Sequence, residues 1–234
     1  MSLHLTGKLS TMPSIQLIEG EFPLPHSVRA PGLHLSTVLM DYLTRVGAEK
    51  ATTRIEGDTS GHGFMALGHA WEDYLRRHGK CGEALSELVV EGVPLNLDGI
   101  TFTSPDFARR ALDAYSRTGM LSHLERGELS GVVGGVDRVH EVKFTSRWKP
   151  EHPTDELEKM NGLAYWYNQF TAYAAAVGAV RGTRHVLWLC NHHGRVMPSY
   201  RVYEYTWGEE ELEAVWAKVV GHKKFMEEEG GKEQ

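Results

Sequence analysis

Cysteine is nearly absent from this chain. Cys81 and Cys190 are the only two in 234 residues, and they stand too far apart for a CxxC redox pair or a local metal knuckle. Nothing points to the disulfide-stapled framework of a small secreted domain. An excess of positive charge is missing as well. The formal net charge of −6 at pH 7 argues against a wholly basic nucleic-acid coat, although it leaves room for a nucleic-acid enzyme whose charge is arranged locally. No apolar run approaches the ~20 residues of a membrane span, and the first residues lack a signal-peptide core. A soluble, cytoplasmic protein is the expectation.

What is present is ordinary globular composition, 41% hydrophobic and 24% charged, enough for one sizeable core. Residues 1–30 mix polar residues with scattered prolines and read as an arm or irregular lead-in. Leu35, Val38, Leu39, Tyr42 and Leu43 recur at helical spacing, with Ser36 as a plausible N-cap. The stretch 51–63 is turn-rich and reads as a loop. Residues 64–79 read as an amphipathic helix closed by Gly79. Residues 86–107 carry β-type residues broken by Gly92, Pro94 and Asp98-Gly99, which suggests two antiparallel strands.

A helical insertion is expected near 107–129, then a strand through 131–147 entered by glycines. A long helix follows, starting near Thr154 or Asp155 and ending near Gly178. A hairpin turning near His193-Gly194 and a last helix complete the chain. There is no internal repeat. The order predicts one α/β domain over 31–226 with a mixed central β-sheet flanked by helices, and a flexible tail over 227–234.

Chemistry concentrates in VHEVKFTSR, Val139 to Arg147. On a strand, residues i and i+2 share a face, so Glu141 and Lys143 lie together while His140, Val142 and Phe144 face the other way. Taken alone, such a pair is more often a simple ion pair than a catalytic one. A second acid, Asp106 in TSPD, changes the weighing. If its strand region pairs with that of Glu141, the two acids converge on a hard divalent cation. Mg²⁺ suits oxygen ligands and keeps several waters, and Lys143 is then placed to stabilise the charge of a phosphate under attack.

Pro105-Asp106 followed by Glu141-Val142-Lys143 resembles the signature of the PD-(D/E)XK nuclease superfamily. GHAWEDYL, with Glu72, is similar to the G-x-x-x-E helix motif of its RecB-type and phage-exonuclease branch. Gln169 and Tyr173 in NQFTAY match that branch's QxxxY, and at i and i+4 they share a helical face. The resemblance spans about 64–177, with four short motifs in the family's order.

It implies a restriction-endonuclease-like core and a metal-dependent nuclease acting on DNA, exonuclease more than endonuclease. Mg²⁺ or Mn²⁺, one or two ions, would be held by Glu72, Asp106 and Glu141, with Lys143 catalytic. Gln169 and Tyr173 would order the site or touch DNA, with core packing an equally good role for Tyr173. Asp137, in GGVD, is the runner-up metal acid. The 34 residues between Asp106 and Glu141 exceed the family's usual hairpin. Arg147 and Lys149 are the best phosphate contacts, ahead of Arg76-Arg77 and Arg109-Arg110. Some members hold an iron–sulfur cluster on four cysteines, which two cannot supply. The resemblance also allows a homo-oligomer and a recombination partner protein, in a bacterial host if phage-encoded.

Other features carry less. Asn191-His192-His193-Gly194 lacks an acid or cysteine to complete a zinc set, His69 fits capping or packing, and Gly134-Gly135 precedes a strand and opens no nucleotide loop. Two competing classes remain. One is a non-catalytic DNA-binding or scaffold protein that keeps the nuclease fold; the other is an unrelated α/β protein whose Glu141–Lys143 pair is structural.

Overall fold

The computed structural model describes residues 32–48, 60–104, 106, 126, 135–148, 164–190 and 196–230. Helix α1 (Leu35–Arg45) buries Leu35, Val38, Leu39 and Leu43 along one stripe, as its spacing predicts. Ser36 lies inside the helix; His34 holds the N-cap position, and Ser36 Oγ is hydrogen-bonded to its Nδ1 at 3.1 Å. Helix α2 (Ser60–Arg77) begins within the stretch expected to be a loop and ends before Gly79, whose φ of 64° fits a left-handed C-terminal residue.

Strands β1 (Glu83–Val90) and β2 (Val93–Phe102) form the expected antiparallel pair around Glu91-Gly92. Both turn residues have positive φ, at 48° and 74°, matching the right-handed strand twist as two-residue hairpin loops do. Asp98-Gly99, expected to break the strand, lies inside it. Glycine is required at 99 because a Cβ there would stand 1.7 Å from the carbonyl oxygen of Cys81.

Strand β3 (Val136–Trp148) pairs antiparallel with β2 and parallel with β4 (Arg181–Cys190), and β4 pairs antiparallel with β5 (Val196–Thr206). The five-stranded order is β1-β2-β3-β4-β5. The parallel step needs a crossover, and helix α3 (Ala164–Val177) lies in it. Helix α4 (Glu209–Gly230) closes the chain; it carries Glu227 and Glu229, expected in a flexible tail, in regular helix, with Glu229 paired to Arg45 at 2.8 Å.

The result is a mixed sheet between helices, the expected fold class. Helices α1, α3 and α4 pack together on the face that carries Glu141, and α2 lies on the other, where Gly68 approaches Phe144. Ala172, Ala174, Ala175, Ala176 and Val177 of α3 are all buried. Small side chains all round let this helix sit close to the sheet, which is why it shows little amphipathic contrast. Gly182 of β4 admits Phe170 and Trp207, whose rings would meet an added Cβ at 2.6 Å and 2.5 Å. Among the described residues no helix is long and apolar enough to cross a membrane. The lead-in 1–30, nearly all of the 107–129 insertion and the 191–195 turn lie outside the described residues.

Candidate active site

The β2–β3 ladder runs from Phe102↔Val136 to Gly99↔His140 and then stops. Continued by one residue, that register sets Asp98 opposite Glu141, on the same face. Beyond this point β2 pairs only with β1 and β3 only with β4. The parting leaves the Val142 N–H without a ladder acceptor, and a shielded amide needs one. Asp98 supplies it: its Oδ2 accepts from Val142 N at 2.8 Å.

Glu141 is fully buried, at 0% exposure, and is met from two sides. Arg184, also 0% exposed, donates from Nε to Glu141 Oε2 at 2.5 Å. Lys143 Nζ stands 2.8 Å from Oε1. Beyond that ion pair, the buried Oε1 makes no hydrogen bond. Lys143 donates to Gln169 Oε1 at 3.0 Å, and Gln169 Nε2 donates to Tyr173 Oη at 2.9 Å. The one-turn spacing of Gln169 and Tyr173 makes this relay possible, and both are buried. Trp166 places its ring 5.9 Å from Lys143 Nζ, within cation–π reach.

Electrostatics tie Asp98 to the same cluster. Removal from solvent pushes its carboxyl up to about 7, with Lys143 and the Val142 amide opposing the shift and Glu72 and Glu141 adding to it. Asp98 retains some surface, so crowding by protein on most sides, more than full enclosure, is the cause. The Tyr173 hydroxyl is pushed well above its ordinary value by burial, and then by the charges of Asp98 and Glu141. Glu72 of α2 is close enough for its charge to bear on Asp98, but its own carboxylate is held by Arg76, with His69 at 3.8 Å.

The structure thus brings together Glu141, Lys143, Gln169 and Tyr173, with Glu72 at the margin. Asp106 is exposed and follows the end of β2 that pairs with Val136; Val136 is five residues, about 17 Å, along β3 from Glu141. Asp137 is occupied elsewhere, by Arg181 and by Arg138 at 3.3 Å. It lies four residues, roughly 13 Å, from Glu141. Arg147 lies on β3, and Lys149 is outside the described residues, as are Arg109-Arg110 and Asn191 to Gly194.

Sequence reasoning missed two residues. Asp98 had a signal, an acid in a β-rich run followed by glycine, but Asp-Gly also punctuates turns. Arg184 had none, because its partner lies 43 residues away across a parallel pairing. Among the described residues no three His, Cys, Asp or Glu side chains stand close enough together to hold a metal ion. Two acids, Asp98 and Glu141, face the same space. A separate cavity of about 460 Å³, lined by Trp71, Tyr74, Leu75, His78, Lys80 and Tyr200, contains no acid and belongs to the opposite face.

No family model matches the chain, and no curated protein matches it significantly. Two solved structures resemble it loosely. One is described as the crystal structure of SSO0001, with 10% identity over 86% of this chain and 79% of that one, and a TM-score of 0.41. The other is an alkaline exonuclease, LHK-Exo, from Laribacter hongkongensis, with 11% identity over 87% of this chain and 95% of that one, and a TM-score of 0.32.

Proposed function

We propose that this chain is a metal-dependent deoxyribonuclease that hydrolyses phosphodiester bonds. The observation that supports it best is the convergence of Asp98 and Glu141 where β2 and β3 part, with Lys143 Nζ 2.8 Å from Glu141 and steadied by Gln169. A hard cation fits this donor set. Glu141 Oε1 is buried and is met only through its ion pair with Lys143, and both candidate ligands are carboxylates. Mg²⁺ is commonly held by one or two carboxylates, with water and substrate phosphate completing its shell. Asp98 and Glu141 would hold the ion, and Glu72, engaged by Arg76, would act through water.

When bound, Mg²⁺ or Mn²⁺ would polarise the phosphodiester and lower the pKa of a water. The chain's own residues do the rest. Lys143 offers its ammonium to the phosphate oxygens as charge builds on them, a preorganised contact of the kind that lowers barriers. Gln169 fixes the direction of Lys143, and Tyr173, kept as a neutral phenol, fixes Gln169. The preference for an exonuclease in phage or bacterial recombination and repair rests on the sequence resemblance alone.

One observation favours a second reading. Glu141 is engaged by Lys143 and Arg184 at once, the pattern expected of a structural ion network. The two separate in one experiment: end-labelled linear DNA and a closed circle, incubated with Mg²⁺, Mn²⁺ or EDTA. The proteins compared are wild type, Lys143→Ala, Asp98→Asn and Asp106→Asn. Metal-dependent loss of the linear substrate, abolished by the first two substitutions and spared by the third, supports the nuclease and its exonuclease mode. Cutting of the circle indicates an endonuclease. Absence of cleavage in every metal leaves the structural network.

A further inference from the structure

Arg184 is an unusual neighbour for a metal acid. Besides Glu141 Oε2, its guanidinium donates to the Trp166 carbonyl at 2.5 Å and to Tyr205 Oη at 3.1 Å. It lies against the rings of Phe170 and Tyr205, 4.9 Å and 5.1 Å from their centroids. Every face of the group is therefore used, and none of it meets solvent. Arginine keeps its charge at any working pH. Pulling it from Glu141 would leave a buried cation and a buried carbonyl unpaired, a cost well above that of a surface ion pair.

We propose that Arg184 occupies the place of a second cation, so that the site takes one divalent ion per chain, on Glu141 Oε1 and Asp98, and excludes a second. This rests on the nuclease reading and narrows its cofactor. The charges agree with it. Glu141 already faces the cations Lys143 and Arg184, and Glu72 faces Arg76, so little uncompensated negative charge remains for a second ion. A two-ion clamp brings four positive charges and normally draws on carboxylates that bridge or flank both ions. Here one oxygen of Glu141 is already bonded to an arginine, and Glu72 is paired within its own helix.

The test is a calorimetric titration of the full chain with Mn²⁺, with free Mn²⁺ counted by electron paramagnetic resonance. The expected result is one bound ion per chain in the wild type, no exchange-coupled dimanganese signal, and loss of that ion in Asp98→Asn. Two ions in the wild type, or a dimanganese signal, would overturn the proposal. Binding of none would sink the nuclease reading itself, a separate failure. Arg184→Gln, checked for its fold by circular dichroism, frees Glu141 Oε2 and is expected to admit a second ion. A folded Arg184→Gln that still binds only one would refute the role given to the arginine. If that variant does not fold, the wild-type rise in Tm with Mn²⁺ supplies the second measurement. A one-site isotherm supports the proposal and a two-site isotherm opposes it.

Discussion

The two faces of β3 bury polar groups by different means. On one, Glu141 is held between two cations, Arg184 and Lys143. On the other, His140 and His185 form an uncharged chain. Thr101 Oγ1 meets His140 Nε2 at 2.8 Å, His140 Nδ1 meets His185 Nε2 at 3.2 Å, and His185 Nδ1 meets Tyr200 Oη at 2.7 Å. Burial lowers both imidazoles to about 4. One strand, alternating by single residues, thus separates a charged cluster from a neutral one. Neutral hydrogen bonds suffice to fill the second face. Replacing buried ion pairs with well-packed apolar groups is often neutral or stabilising, so fold alone gives little reason to keep Glu141 charged.

The comparison can be broken by function first. Lys143→Ala is expected to slow DNA cleavage by roughly 10²–10⁴-fold, the range for losing a positioned charge or proton-transfer group. Tyr200→Phe on the opposite face should leave the rate unchanged. Equal losses in a cleavage assay would erase the functional distinction between the faces.

Stability gives the next largest effect. Glu141→Ala leaves Arg184 buried without its carboxylate and is expected to cost about 3–5 kcal/mol in urea unfolding. The double variant Glu141→Ala with Arg184→Met should recover most of it. A double variant as unstable as the sum of the two singles would mean that the ions are not coupled.

Dependence on pH sharpens the contrast, because the two faces respond with opposite sign. His140 and His185 have folded values depressed to about 4 from 6.5. Between those limits the unfolded chain binds more protons, and stability falls as pH drops from 6.5 to 4. Asp98 is raised to about 7 from 3.8. In that window the folded state holds the extra proton, so stability falls as pH rises from about 4 to 7. Urea midpoints between pH 4 and 8 should therefore lose their acid-side decline in a His140→Gln, His185→Gln double variant, on the order of 1–3 kcal/mol per imidazole. Asp98→Asn should remove the opposing slope. A double histidine variant whose acid-side slope equals that of the wild type would show the imidazoles to be charged in the fold. The smallest effect belongs to Tyr200→Phe, about 1 kcal/mol for one hydrogen bond to His185, read from the same urea curves.

Much of this was legible beforehand. The alternation of Glu141 and Lys143 with His140 and Val142 follows from strand geometry, and Gln169 and Tyr173 meet because they are one helical turn apart. Such short-range rules need no knowledge of the sheet. The misreadings were long-range. Asp106 reads in sequence as an acid at the end of a strand aimed at Glu141; β2 itself ends at Phe102, opposite Val136. Asp98-Gly99 looked like a turn, although its glycine serves a close backbone approach from Cys81. Arg184 meets Glu141 only because β4 runs parallel to β3 with Arg184 beside Glu141, and nothing local to either residue encodes that pairing.

The bond from Val142 N–H to Asp98 Oδ2 also gives the molecule a built-in gauge. A backbone proton normally reports its own ladder; this one reports a side chain. Any event that turns the Asp98 carboxylate outward, neutralises it or engages it with a cation must lengthen or weaken that single bond. The nitrogen-15 resonance of Val142 should move, and its hydrogen–deuterium exchange quicken, while the amides of Val139 and His140, locked in the intact part of the ladder, stay still. Occupancy of the site would then be visible at one peptide group before any substrate is added.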